Sequence, residues 1–146
     1  MEELNSKNET DMEKVIVTID WCEKNYCGGY GDNVPGAAVF TAATFEEAKR
    51  EAQETLDFHM EGYIERGEEV PQWYLDKDYE LEFQLTTAAL LQSFQPDVPL
   101  SAVSRATGIN QRLLSHYANG LKVPREQQRM RIIDGLHSIG RRLMAV

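Results

Sequence analysis

Residues 100–125 read LSAVSRATGINQRLLSHYANGLKVPR, and the rest of the chain is organised around this stretch. Its apolar pattern predicts a helix from Leu100 to Ala106, a turn at Gly108, and a second helix from Gln111 to Ala118 that Asn119-Gly120 stops. Gly108 suits a turn position that needs φ > 0, and Asn110 is a good N-cap for the second helix. Ile109 returns an apolar side chain beneath the pair. Gly120 followed by Pro124 closes the unit, because glycine ends helices and proline does not continue them. Two short helices around such a turn have the grammar of a helix-turn-helix.

The charge is divided unevenly around it. The whole chain of 146 residues carries a net charge of −9, which ill suits contact with phosphates. Residues 1–85 hold 7 Lys/Arg against 21 Asp/Glu, a net of −14, whereas residues 86–146 hold 8 against 3, a net of +5. An acidic half joined to a basic half suggests one surface for phosphates and another for a basic partner. No apolar run is long enough to span a membrane, and the polar start MEELNSKNETDMEK lacks a signal peptide's hydrophobic region, so a cytoplasmic protein is expected. Cys22 and Cys27 are too few for a disulfide framework or a zinc site. Their spacing across a predicted hairpin permits a bridge, but in a reducing cytosol free thiols are expected.

Taken in order, residues 1–13 are polar and aperiodic and are expected to form a flexible tail. KVIVTIDW, Lys14 to Trp21, is rich in β-branched residues and alternates, with Val15, Val17 and Ile19 on one side; it is a strand. Tyr26 to Tyr30 returns as a second strand and, after the turn Asp32-Asn33-Val34-Pro35-Gly36, Ala37 to Ala43 is a third, giving an antiparallel meander. Thr44 and Glu47 form a capping box at the head of a helix that runs to Gly67. Its apolar face comprises Phe45, Ala48, Ala52, Leu56, His59 or Met60, and Tyr63. Residues 68–78 are expected to be a loop, and YELEFQL, Tyr79 to Leu85, a half-buried fourth strand. A last helix is expected from Arg125 to Ala145, with Met130, Ile133, Leu136 or His137, Gly140 and Leu143 on one face, packed on the helical pair or on a second subunit.

GINQRLLSHYANGLKVP resembles the most recognisable segment of the Xre/Cro-type helix-turn-helix family. The wider order of strand, GGY, NVPG turn and AVFTAATFEEAKREAQE, with a helix-turn-helix behind it, resembles the HicB antitoxin family over Lys14 to Met144. Where many members carry PGC or PGL, this chain has Pro35-Gly36-Ala37. The resemblance implies an α+β chain: a β-β-β-α-β partial RNase H-like domain at residues 14–85 that binds a partner, then an all-α helix-turn-helix domain at residues 86–146. It implies an antitoxin that neutralises HicA, a small basic mRNA-cleaving toxin, and represses its own operon. The alternative is a stand-alone transcriptional regulator whose N-terminal domain oligomerises or senses a ligand.

Each half then has candidate residues. If the second helix enters the major groove, Asn110, Gln111, Arg112 and Ser115 read base edges, with His116 at the flank. Arg105, Lys122, Arg125 and Arg129 are expected on the phosphates of a double-stranded DNA operator, with Leu113, Leu114 and Tyr117 in the core. Repressors of this kind bind as dimers, so a homodimer or higher oligomer is expected. The acidic candidates for the toxin are Glu46, Glu47, Glu51, Glu54, Asp57 and Glu61 on the helix, helped by Glu80 and Glu82 on the last strand. An RNase H-like nuclease would need clustered carboxylates for Mg²⁺, drawn from Asp20, Glu47, Glu51 and Glu80 or Glu82. These belong more simply to solvated faces, and His59 to packing. No nucleophile motif, P-loop or metal-ligand spacing occurs, so neither catalysis nor a cofactor or metal is expected.

Overall fold

Val15, Val17 and Ile19 occupy one pleat of β1 (Glu13–Cys22) and are wholly buried, while Lys14, Thr18 and Asp20 on the other pleat are exposed. That alternation fixes which face of the sheet becomes core. The structure, a computed structural model, describes residues 12–146. Most of the tail expected at residues 1–13 lies outside the described residues, and its last member, Glu13, already pairs in β1.

The fold is α+β. β2 (Asn25–Tyr30) pairs antiparallel with β1, and β3 (Val39–Ala42) antiparallel with β2, as the meander requires. β4 (Tyr79–Leu85) lies on the other side of β1 and parallel to it, with Glu13 opposite Tyr79 and Ile19 opposite Leu85, giving the order β3-β2-β1-β4. A parallel partner requires a crossover, which α1 (Phe45–Glu65) and the short α2 (Gln72–Leu75) provide. The expected loop at residues 68–78 thus contains a helical turn whose Trp73 and Tyr74 pack with Val15, Leu56 and Met60.

Sequence dictates the detail. Gly28 faces Phe40 directly across β2 and β3, and a Cβ there would run into the Phe40 ring, 2.7 Å from Cε1. The ring covers the glycine and fills the space a side chain would take. At the head of α1 the Thr44 hydroxyl accepts the Glu47 N–H at 3.1 Å, and the Glu47 carboxylate accepts the N–H of Ala43, one residue before the cap, at 3.0 Å. Ala48, Ala52, Leu56 and Met60 form the buried stripe. His59 is half-buried and hydrogen-bonds the Pro35 carbonyl at 2.6 Å.

The free-thiol expectation is corrected: Cys22 and Cys27 are disulfide-bonded. The two-residue turn Glu23-Lys24 sets Cys22 opposite Asn25 and Cys27 opposite Asp20, so the cysteines are diagonal neighbours on one face, with Cα atoms 6.0 Å apart.

α3 (Thr87–Phe94), which the sequence pattern does not delimit, follows β4 directly, its N-cap Thr86 accepting the Ala89 N–H at 3.2 Å. Ala89 belongs to the sheet core, while Leu91 belongs to a helical core with Val103, Ile109, Leu114, Tyr117 and Ile132. That core joins α3 to α4 (Leu100–Thr107), α5 (Gln111–Ala118) and α6 (Glu126–Met144).

The expected face of α6 is also corrected. Ile132, Gly135 and Ile139 are buried, whereas Met130 and Leu143 are exposed. Gly135 takes an inner position because a Cβ there would collide with the Thr107 methyl of α4. The Arg131 guanidinium completes that contact by donating to the Thr107 carbonyl at 2.7 Å. No helix among the described residues is long and apolar enough to cross a membrane.

Candidate nucleic-acid and partner interfaces

The α4–α5 pair is built as its sequence demands. Gly108 ends α4 in the left-handed region, φ 75°, and its N–H reaches the Ser104 carbonyl. Ile109 is buried, and the Asn110 side chain caps α5 by accepting the Arg112 N–H at 2.8 Å. Leu114 and Tyr117 then face the core, with Leu113 half-buried beside it. This rotation leaves Gln111 and Arg112 exposed on the first turn and Ser115 and His116 half-exposed one turn later. Arg105 in the last turn of α4, and Lys122 and Arg125 in the α5–α6 connection, are exposed as well.

Not every predicted contact is available. Arg129 is half-buried and donates to the Leu85 carbonyl at 2.7 Å and the Thr87 hydroxyl at 2.9 Å, so it is a clamp between α6 and the end of β4 rather than a phosphate contact. The capping oxygen of Asn110 is occupied, which leaves its amide N–H groups for any base. Leu121 and Val123, 72% and 89% exposed on either side of Lys122, escaped the sequence pattern because they stand outside a helix and have no periodicity.

The acidic candidates divide. Glu46, Glu54 and Glu61 are exposed on the outer side of α1, with Glu46 paired to Lys49 at 3.0 Å. Glu51 is half-buried on the same helix. Glu47 is committed to the helix cap, and Asp57 accepts from Tyr74 at 2.9 Å and from Gln53 at 3.2 Å. Burial, then the bond to Asp57, raises the Tyr74 phenol above its ordinary range and keeps it a donor. Glu80 and Glu82 lie on the β4 pleat opposite Leu81 and Phe83, whose side faces the core. Of the helix and strand acids, Asp57 and Glu80 line one groove between α1 and β4. Among the α1 acids stands Phe58, 80% exposed, on the stripe of Glu54 and Glu61. Its sequence signal is an apolar residue out of phase with Ala48, Ala52, Leu56 and Met60.

Compared with protein-family models, curated proteins and solved structures, the chain matches none.

The nuclease candidates do not converge. Asp20 accepts the Thr86 hydroxyl at 2.8 Å and its neighbour's N–H on the open side of the sheet, away from Glu47 on α1. Among the described residues no group of three or more His, Cys, Asp or Glu is placed to hold a metal ion. A groove of about 650 Å³ does run between α1 and β4, lined by Gln53, Asp57, Tyr74, Tyr79 and Phe83 among others.

Proposed function

We propose that the chain is a HicB-like antitoxin of a type II toxin–antitoxin system. Its sheet-bearing half, a partial RNase H-like unit at residues 14–85, binds and neutralises a HicA-like basic mRNA interferase. Its helical half, a helix-turn-helix unit at residues 86–146, represses the operon by binding double-stranded DNA. The observation that carries this proposal is the exposed first turn of α5, with Gln111 and Arg112, set in the basic half, which also exposes Arg105 before this helix and Lys122 and Arg125 after it. A helix that offers its N-terminal side chains in this way fits the major groove, while the flanking cations hold phosphates. The sheet order with β4 alone parallel to β1 supports the RNase H-like part.

In this proposal the toxin surface narrows to Glu51, Glu54 and Glu61 around Phe58, with Glu46 further along α1. Carboxylates steer a basic partner and compete with RNA for it, and an exposed aromatic supplies a desolvated anchor. The chain acts by binding, not catalysis, and as a homodimer or higher oligomer matched to paired half-sites.

A second proposal is a stand-alone regulator with a ligand-sensing or oligomerising N-terminal half. The internal commitments of Glu47 and Asp57 and the groove between α1 and β4 favour it. One experiment separates the two. The small basic protein encoded beside this gene is expected to be captured by the chain, and its RNA cleavage to stop when the chain is in excess. Phe58→Ala with Glu54→Lys should weaken capture. Unaltered cleavage in excess chain would discard the antitoxin role.

A further inference from the structure

α6 packs one apolar face inward and leaves a second, partly apolar line more open. Ile132, Gly135 and Ile139 pack inward. Met130, Ile133, His137, Gly140 and Met144 form a second line at successive spacings of 3, 4, 3 and 4 residues, the a/d pattern by which one helix packs along another. Met130 is 44% exposed and Met144 88%, and Phe94 from α3, 45% exposed, extends the same surface. Beside this line a groove of about 330 Å³ runs between α3 and α6, lined by Leu90, Phe94, Val98, Ile133 and Leu143 among others. Its wall is almost wholly apolar, and contiguous patches of this kind on a soluble surface mark contact sites.

Two features select the occupant. A Cβ on Gly140 would meet nothing within 4 Å, so the backbone of a second helix has room to approach there. Asp134 and Arg141, both exposed, flank the line seven residues apart in the same heptad position. When two such helices run antiparallel about a two-fold axis near Ser138, Asp134 of each copy comes within reach of Arg141 of the other, once on each side of the axis. The surface is complementary to itself in shape and charge, as an isologous interface requires. We propose that this face of α6, extended by Phe94, binds the same face of a second copy of the chain in antiparallel orientation. The assignment stands on the exposure pattern of α6 and does not depend on what either half binds.

Sedimentation equilibrium of the full chain over ~1–100 µM tests it without DNA or any partner. The expected species is a dimer. Gly140→Arg, Asp134→Arg and Arg141→Asp should each raise the dissociation constant about tenfold or more, with the far-UV circular dichroism of the folded chain unchanged, because a Cβ at Gly140 meets nothing within 4 Å and the other two side chains are exposed. The double reversal Asp134→Arg with Arg141→Asp should restore the dimer. A monomer throughout the range, or a dimer indifferent to Gly140→Arg and to both charge reversals, would overturn the proposal. A double reversal no better than the singles would overturn the antiparallel arrangement.

Discussion

Gln111 and Arg112 are exposed side by side on the first turn of α5, one turn before Ser115. A glutamine amide matches adenine and a guanidinium matches guanine, each through two hydrogen bonds in the major groove. Gln111→Ala and Arg112→Ala are therefore expected to cost ~1–3 kcal/mol each in operator binding and to relax specificity, measured by band shift against single-base operator variants. Both variants binding like the parent would remove these residues from the reading surface. Their exposure was legible because Gly108, Ile109 and Asn110 fix where α5 starts, and so which residues precede the buried Leu114. The fate of Arg129 was not legible. A lone arginine near a basic cluster looks like a phosphate ligand until its partner, the Leu85 carbonyl 44 residues away, is known.

At the scale of elements, α6 is joined to the sheet by that arginine. Replacing Arg129 with Met keeps the aliphatic stem but deletes two hydrogen bonds and strands the Leu85 carbonyl, so the chain should lose about 2 kcal/mol in urea unfolding. Unchanged stability would show that the clamp contributes nothing. α1 was readable nearly residue by residue, since a long helix with a cap and one apolar stripe has a single way to lie on a sheet. α6 was not, because its inner face includes Gly135, which adds no hydrophobic signal although its lack of a side chain admits Thr107. The face of Met130, Ile133, Leu136 or His137 and Leu143 carries large side chains at helical spacing and so dominates the pattern. Likewise YELEFQL alternates whichever way the strand runs, so the parallel direction of β4 had no local signature. The Cys22–Cys27 bond depended on the turn placing two cysteines diagonally, and the compartment argument pointed the other way.

Across the whole molecule, α3 is the wall that the two cores share. Ala89 seals the sheet and Leu91, two residues on, the helical core, with Gln92 donating to the Ala118 carbonyl at 2.8 Å. The sheet and the helices should therefore unfold together. Both tryptophans, Trp21 and Trp73, report on the sheet half, while far-UV circular dichroism reports mainly on helices; the two transitions are expected to coincide. A helical loss that precedes the tryptophan change would show independent units. The division into an acidic and a basic half was plain in composition, but how closely they join was not. That depends on an eight-residue helix whose small residues could have served either core.

The sheet ends in two unlike borders. β3 is only four residues long, VFTA, and carries no charge, whereas β4 is seven residues long and alternates Glu80 and Glu82 with its apolar side chains. An open strand border is a template on which further chains can add, and brevity or charge is what prevents it. Glu80 and Glu82 thus give the longer border the charge that disfavours such addition. Neutralising them would be felt first as lost solubility.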